Sequence, residues 1–204
     1  MLIRPATPDD IKQAIPLMYS SGPEAFNYVF SVTHESQSIE FLSYAYKKGD
    51  GEFGYQDHFV AEINGEVVGL VGYRPAQDNL RYTLSAIKRI FVYYGLLSGL
   101  KVIKRGLAFE KIVPPPPKNT ACLHNFGVSN SVRGQGIGAR MMTMVAEKAK
   151  QQGYSAVVLD VAETNPKAKA LYLRQGYQVI DAKTGRLQNR FGRGVSHELM
   201  QLKL

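Results

Sequence analysis

Arg133-Gly134-Gln135-Gly136-Ile137-Gly138-Ala139 places glycines at alternate positions directly ahead of a helical pattern. The first amides of a helix lack intrahelical acceptors and sit at the positive end of its dipole. Glycines before them let several N–H groups converge on one anion without interference from a Cβ. The natural guest is a phosphate. The other reading of the stretch is a tight turn that lets helix and sheet pack closely. Two phosphate loops fit poorly. A Walker A loop needs Lys-Ser/Thr after its last glycine, and Ala139-Arg140 follows Gly138. A dinucleotide turn needs G-x-G-x-x-G in an early strand-helix unit, whereas this spacing is G-x-G-x-G and comes late.

The elements that must position this turn are legible on both sides. Ala121–Val128, "ACLHNFGV", reads as the strand before it. Ile137, Met141, Val145 and Ala149 recur at helical spacing after it, and Gly153 is the stop. "AVVLDV" (156–161) reads as a buried strand, Asn165-Pro166 opens a further helix that ends at Gly176, and "YQVI" and "SHELMQL" read as the last two strands. This order predicts at least two parallel strand-helix steps. Upstream, "LIRPA" is a short strand, and a helix follows Thr7 and is kinked or divided by Pro16. Residues 23–48 carry two aromatic-rich helical patterns, and "HFVAEINGEVVGLVGY" is a hairpin about Asn64-Gly65. Residues 80–112 are helical in character, and Pro114–Pro117 stiffen the chain before the next strand.

The chain has 204 residues, enough for one domain with a sizeable core. Its single cysteine, Cys122, excludes an internal disulfide and a cysteine-built metal site, and no metal is expected. The first residues lack the apolar segment of a signal peptide, and no run spans a bilayer, so the expectation is a cytoplasmic protein. Residues 81–111 hold seven Lys/Arg against one acid, Glu110, and so supply +6 of the net charge of +8. Basicity confined to one segment argues against a nucleic-acid-binding protein as a whole. The segment 80–118 has three readings. It is a helical pair packed on the core, a lid over an acceptor site, or an interface for an anionic membrane or nucleic acid.

Arg133-Gly134-Gln135-Gly136-Ile137-Gly138 resembles the acetyl-CoA motif R/Q-x-x-G-x-G/A of the GCN5-related N-acetyltransferase superfamily. "VVLDVAETNPKAKALYLRQGY" resembles that family's second element, with Asn165, Tyr172, Gly176 and Tyr177 in its order. The likeness covers residues 1–75 and 119–180, and the segment 80–118 departs from it. It implies an α/β fold with a central twisted mixed sheet of six to seven strands flanked by helices, in one domain over 1–204 with a helical insertion at about 80–118. It implies acetyl-CoA as cosubstrate and a primary amine as acceptor, by direct transfer. The alternative is a noncatalytic acyl-CoA-binding regulatory module. Gly134, Gln135, Gly136, Ile137, Gly138 and Ala139, with Arg133, would bind the pyrophosphate. Phe126, Gly127 and Val128 would pair with pantetheine, Asn165 would hydrogen-bond near that arm, and Tyr172 would lie beside the thioester sulfur as proton donor.

Transfer to an amine also needs the amine neutral. For a lysine-like amine at pH 7 that costs roughly 4–5 kcal/mol, and for an α-amine about 1. Many family members carry a glutamate where this chain has Cys122, so that base is missing. Strand alternation puts Cys122, His124 and Phe126 on one face, and imidazole titrates near neutrality. His124 is therefore the expected base, directly or through water, against the reading that it only lines the pocket or packs in the core. The resemblance is compatible with a homodimer.

Overall fold

Asn64 and Gly65 both take left-handed backbone, with φ 52° and 82°, as a type I′ turn requires. They fold β2 (His58–Ile63) onto β3 (Glu66–Pro75). In this computed structural model, which describes residues 1–204, that hairpin is the centre of one half of a seven-stranded sheet. The other strands are β1 (Leu2–Pro5), β4 (Thr120–Val128), β5 (Ala156–Ala162), β6 (Gln178–Gln188) and β7 (Arg193–Lys203), in the order β1-β2-β3-β4-β5-β7-β6. Only β4 and β5 pair in parallel. The second expected parallel step exists in direction, but β7 has inserted between β5 and β6. The last hairpin also exceeds its sequence signal, since β6 continues through Lys183 to Gln188.

Six helices cover the sheet: α1 (Ile11–Ser20), α2 (Pro23–Phe30), α3 (Gln37–Lys47), α4 (Asn79–Phe109), α5 (Ile137–Gln151) and α6 (Pro166–Arg174). Pro16 does not divide α1, which runs through it. Helices α5 and α6 bury Met141, Val145 and Tyr172 against Val71, Leu123 and Leu159 on one face. Helices α1 and α3 bury Leu17, Met18 and Tyr46 against Val60 and Leu70 on the other. Each such side chain contributes about 1.5–3 kcal/mol by leaving water. The four apolar residues read from the periodicity of α5, Ile137, Met141, Val145 and Ala149, are all buried.

The long α4 is two arms broken at Gly95, where φ is 69° and ψ −174°. The second arm doubles back, because a Cβ at Gly99 would sit 2.9 Å from the ring of Phe91. The inner sides of both arms pack on α2 and α3. Tyr94 donates to the carbonyl of Phe30 at 2.6 Å, and Arg105 donates to that of Ser31 at 2.7 Å. The first arm also reaches the sheet through Tyr82, which is buried. The proline run then returns the chain to β4, held by a hydrogen bond from Asn79 to the Pro116 carbonyl at 3.2 Å.

Candidate functional site

β4 and β5 pair over only three residues, Thr120 with Ala156, Ala121 with Val157 and Cys122 with Val158. Continuing that register would set His124 beside Asp160. Instead the strands part, and the β5-facing backbone edge of the rest of β4 is left without a strand partner. Unpaired strand groups are an edge ready for another extended chain.

A bulge in β4 produces the divergence. Gly72 of β3 faces His124, yet Leu70 faces Gly127, so Val71 of β3 opposes two residues of β4, Asn125 and Phe126. Asn125 takes φ 48° at this point. Its amide donates to the Glu52 carbonyl at 2.9 Å and to Nε2 of His58 at 3.2 Å. The proton of His58 is therefore on Nδ1, which donates to the Gly54 carbonyl at 2.7 Å. The bulge corrects one expectation. Cys122 and His124 stay on the face beneath α4, but Phe126 is turned to the opposite face. There a Cβ on Gly138 would lie 3.3 Å from its ring.

His124 lies over Gly72 and packs edge-on against His58 at 5.4 Å and Tyr82 at 6.5 Å. Both its ring nitrogens are buried without a partner. Burial, with His58 and Arg74 nearby, holds its pKa well below the usual imidazole value, so it is neutral at pH 7. A Cβ at Gly72 would stand 2.5 Å from His124 Cε1. Gly72→Ala is therefore expected to lower stability by about 1–3 kcal/mol in urea denaturation, because the ring has nowhere to move.

Asp160 is the residue the sequence reading missed. It follows Val158 on the α4-side face of β5, across the parting from His124. Burial alone raises its carboxyl to about 7. The signal was present as one acid inside the otherwise apolar run "AVVLDV". Cys122 is pushed far above its ordinary value by burial, so its thiol stays protonated at neutral pH.

On the other face, the buried Tyr172 comes from α6 with its ring 6.5 Å from that of Phe126. Burial alone raises the phenol to about 12, so it keeps its proton at neutral pH. Asn165 caps α6, accepting from the Ala168 N–H at 3.2 Å. That bond uses its oxygen and leaves its amide NH₂ free to donate.

At the end of β4 the glycine turn divides its labour. Gly134 and Gly136 have φ 81° and 77°, and a Cβ at either would meet nothing. They are needed for backbone conformation. Gly138 is inside the first turn of α5, where a Cβ would come within 3.4 Å of Leu171 as well as Phe126. It is needed for close packing, as the tight-turn reading of the stretch expects. Residues 133–136 are exposed, and the start of α5 lies directly beyond them. Arg133 donates to the Val128 carbonyl at 3.3 Å and ties the turn to the strand end. The arrangement joins an exposed glycine turn to an open strand edge, with a phenol on one face and a carboxyl and an imidazole on the other.

The sequence matches the model of the "Acetyltransferase (GNAT) family" over residues 26–177. It is 27% identical over 162 residues to N-acetyltransferase 8B of Rattus norvegicus, covering 79% of this chain and 54% of that one. It is 36% identical over 107 residues to N-acetyltransferase 8F1 of the same organism, covering 52% and 47%. The chain thus spans about half the length of the curated relatives it matches. Among solved structures, one described as an acetyltransferase superposes with TM-score 0.70 at 25% identity, covering 100% of this chain and 99% of that one. An N-acetyltransferase from Staphylococcus aureus Mu50 superposes with TM-score 0.72 at 15% identity, covering 99% and 100%, and shares the fold.

Proposed function

This chain belongs to the GNAT acetyltransferase family, and from that premise we propose that it moves an acetyl group from acetyl-CoA to a primary amine by direct transfer. One observation carries the reading: the strands part after Cys122–Val158, directly behind a turn built on two left-handed glycines. The amides from Gly134 to Ala139 take the pyrophosphate. The edge Phe126-Gly127-Val128 takes the pantetheine amides, and the Asn165 NH₂ donates toward the same arm. A backbone N–H of β4 that β5 no longer reaches meets the carbonyl oxygen as it gains charge.

Tyr172 then gives its proton to the departing thiolate. A thiol of pKa about 8.5 is a good leaving group, so this help is modest. Tyr172→Phe is expected to lower kcat about tenfold, with acetyl-CoA affinity and melting temperature unchanged in calorimetry. A kcat equal to the parent's would remove the assignment.

His124 and Asp160 flank the opening and compete for the amine's proton. The geometry favours Asp160, because the nitrogens of His124 are closed off by their packing. A carboxyl near neutrality is matched to proton abstraction at pH 7. His124 then shapes the acceptor wall. The reading as a whole is tested by thiol release from acetyl-CoA across a panel of small amines, peptide N-termini and lysine peptides. Tight CoA binding with no release from any amine would leave the noncatalytic module instead.

A further inference from the structure

The break in α4 makes a projecting tip whose surface nothing in the chain covers. Leu96 and Leu97 are 68% and 77% exposed, Val92 65% and Leu100 51%. These four surround Gly95, the one residue where the helical backbone is interrupted. Lys88 lies one turn before Val92, Lys101 one turn after Leu97 and Lys104 one turn after Leu100, and all three are exposed. The arginines of α4 are engaged, Arg81 with Asp57 and Asp78, Arg89 with Asp50, and Arg105 with backbone carbonyls. The three lysines have no such partner. No acid occurs anywhere in residues 79–109.

We propose that this tip docks on an anionic lipid surface, with Val92, Leu96, Leu97 and Leu100 entering the acyl boundary and Lys88, Lys101 and Lys104 at the headgroups. An apolar cap collared by cations without acids is the pattern of an interfacial anchor. No helix is long and apolar enough to cross a membrane, so the contact is peripheral. A second copy fits less well. A twofold pairing of this tip would bring its lysines toward each other with no carboxylate between them. A nucleic acid would leave the leucines unused, since phosphates offer them nothing.

The test is co-flotation of the full chain with phosphatidylcholine vesicles, with and without phosphatidylglycerol, at low and high salt. Its readout is independent of catalysis, so it stands apart from the reading of the active site. Binding is expected only with phosphatidylglycerol, and to weaken steeply with salt. Replacing the three lysines by glutamine should lower the partition coefficient about a hundredfold, roughly fivefold per lysine. Leu96→Ser with Leu97→Ser should abolish binding while melting temperature holds, because both side chains are in solvent. The proposal is overturned if the parent chain does not float with anionic vesicles, or if the leucine variant floats equally well. It is equally overturned if sedimentation shows a dimer that the leucine variant dissociates, or if duplex DNA is retained by the parent and released by the lysine variant while vesicles are ignored.

Discussion

Replacing Gly134 and Gly136 together by valine is expected to weaken CoA binding by about a hundredfold or more in calorimetric titration, with the fold intact. Both residues sit at left-handed φ, which costs an L-residue roughly 1–2 kcal/mol, and β-branching adds to that. No atom lies near either Cβ position, so the substitution does not collide with the body of the protein. The loop instead relaxes to negative φ and turns its amides away from their common focus. Hydrogen bonds to a charged phosphate contribute about 1.5–3 kcal/mol each. Losing two of them already exceeds a hundredfold in affinity. Gly138→Ala should behave differently. Its Cβ would press on Phe126 and Leu171, so it moves α5 off the sheet and lowers thermal stability first. Unchanged CoA affinity in the double valine variant would place the anion elsewhere.

Asp160→Asn should remove activity and add stability together. At pH 7 kcat/KM is expected to fall about a hundredfold to a thousandfold, the usual worth of a positioned base. The parent's decline in rate as pH falls through about 7 should vanish from the variant's profile. His124→Gln should keep that limb. A His124 variant that loses the limb, with an Asp160 variant that keeps it, would reverse the assignment. Stability follows the same group with a definite sign. The folded carboxyl titrates near 7, against 3.8 for the free side chain. The folded state therefore holds the proton more tightly, and the carboxylate form is the one that burial disfavours. The penalty is absent below pH 3.8, grows up to pH 7 and is constant above, where it approaches about 4 kcal/mol for a shift of about three units. Asparagine carries no such penalty. The variant should gain stability over the parent at pH 8 and show no gain near pH 3. A carboxylate that costs stability at working pH is the usual mark of one kept for chemistry.

Local signals gave the glycine turn, the hairpin and α5 directly, because left-handed glycines and helical periodicity act over a few residues. The α/β fold also followed from the resemblance, which implied six to seven strands where the sheet has seven. Three features escaped. Alternation along "ACLHNFGV" failed at Asn125, whose left-handed backbone inserts an extra residue opposite β3. Nothing in the run announces this, since the reason lies in the distant acceptors Glu52 and His58. Asp160 escaped because its significance depends on β4 leaving β5 just where it stands. That is a fact of pairing between strands, not of either strand. The late insertion of β7 between β5 and β6 is of the same kind.

The three-residue seam between β4 and β5 makes the sheet a pair of rigid leaves with a short spine. The first leaf is β1 to β4 and the second is β5 to β7, and backbone hydrogen bonds join them at Thr120–Cys122 and at the adjoining Asn119, whose carbonyl accepts from the Ser155 N–H at 3.1 Å. Elsewhere along the gap, side chains of α5 and α6 act as the binding. A ligand that lays its amides along β4 would become an eighth strand and complete the ladder. The donor would then be a structural member of the folded state as well as a reactant. Each turnover would withdraw and replace a piece of the sheet, and the stiffness of the molecule would rise and fall with its occupancy.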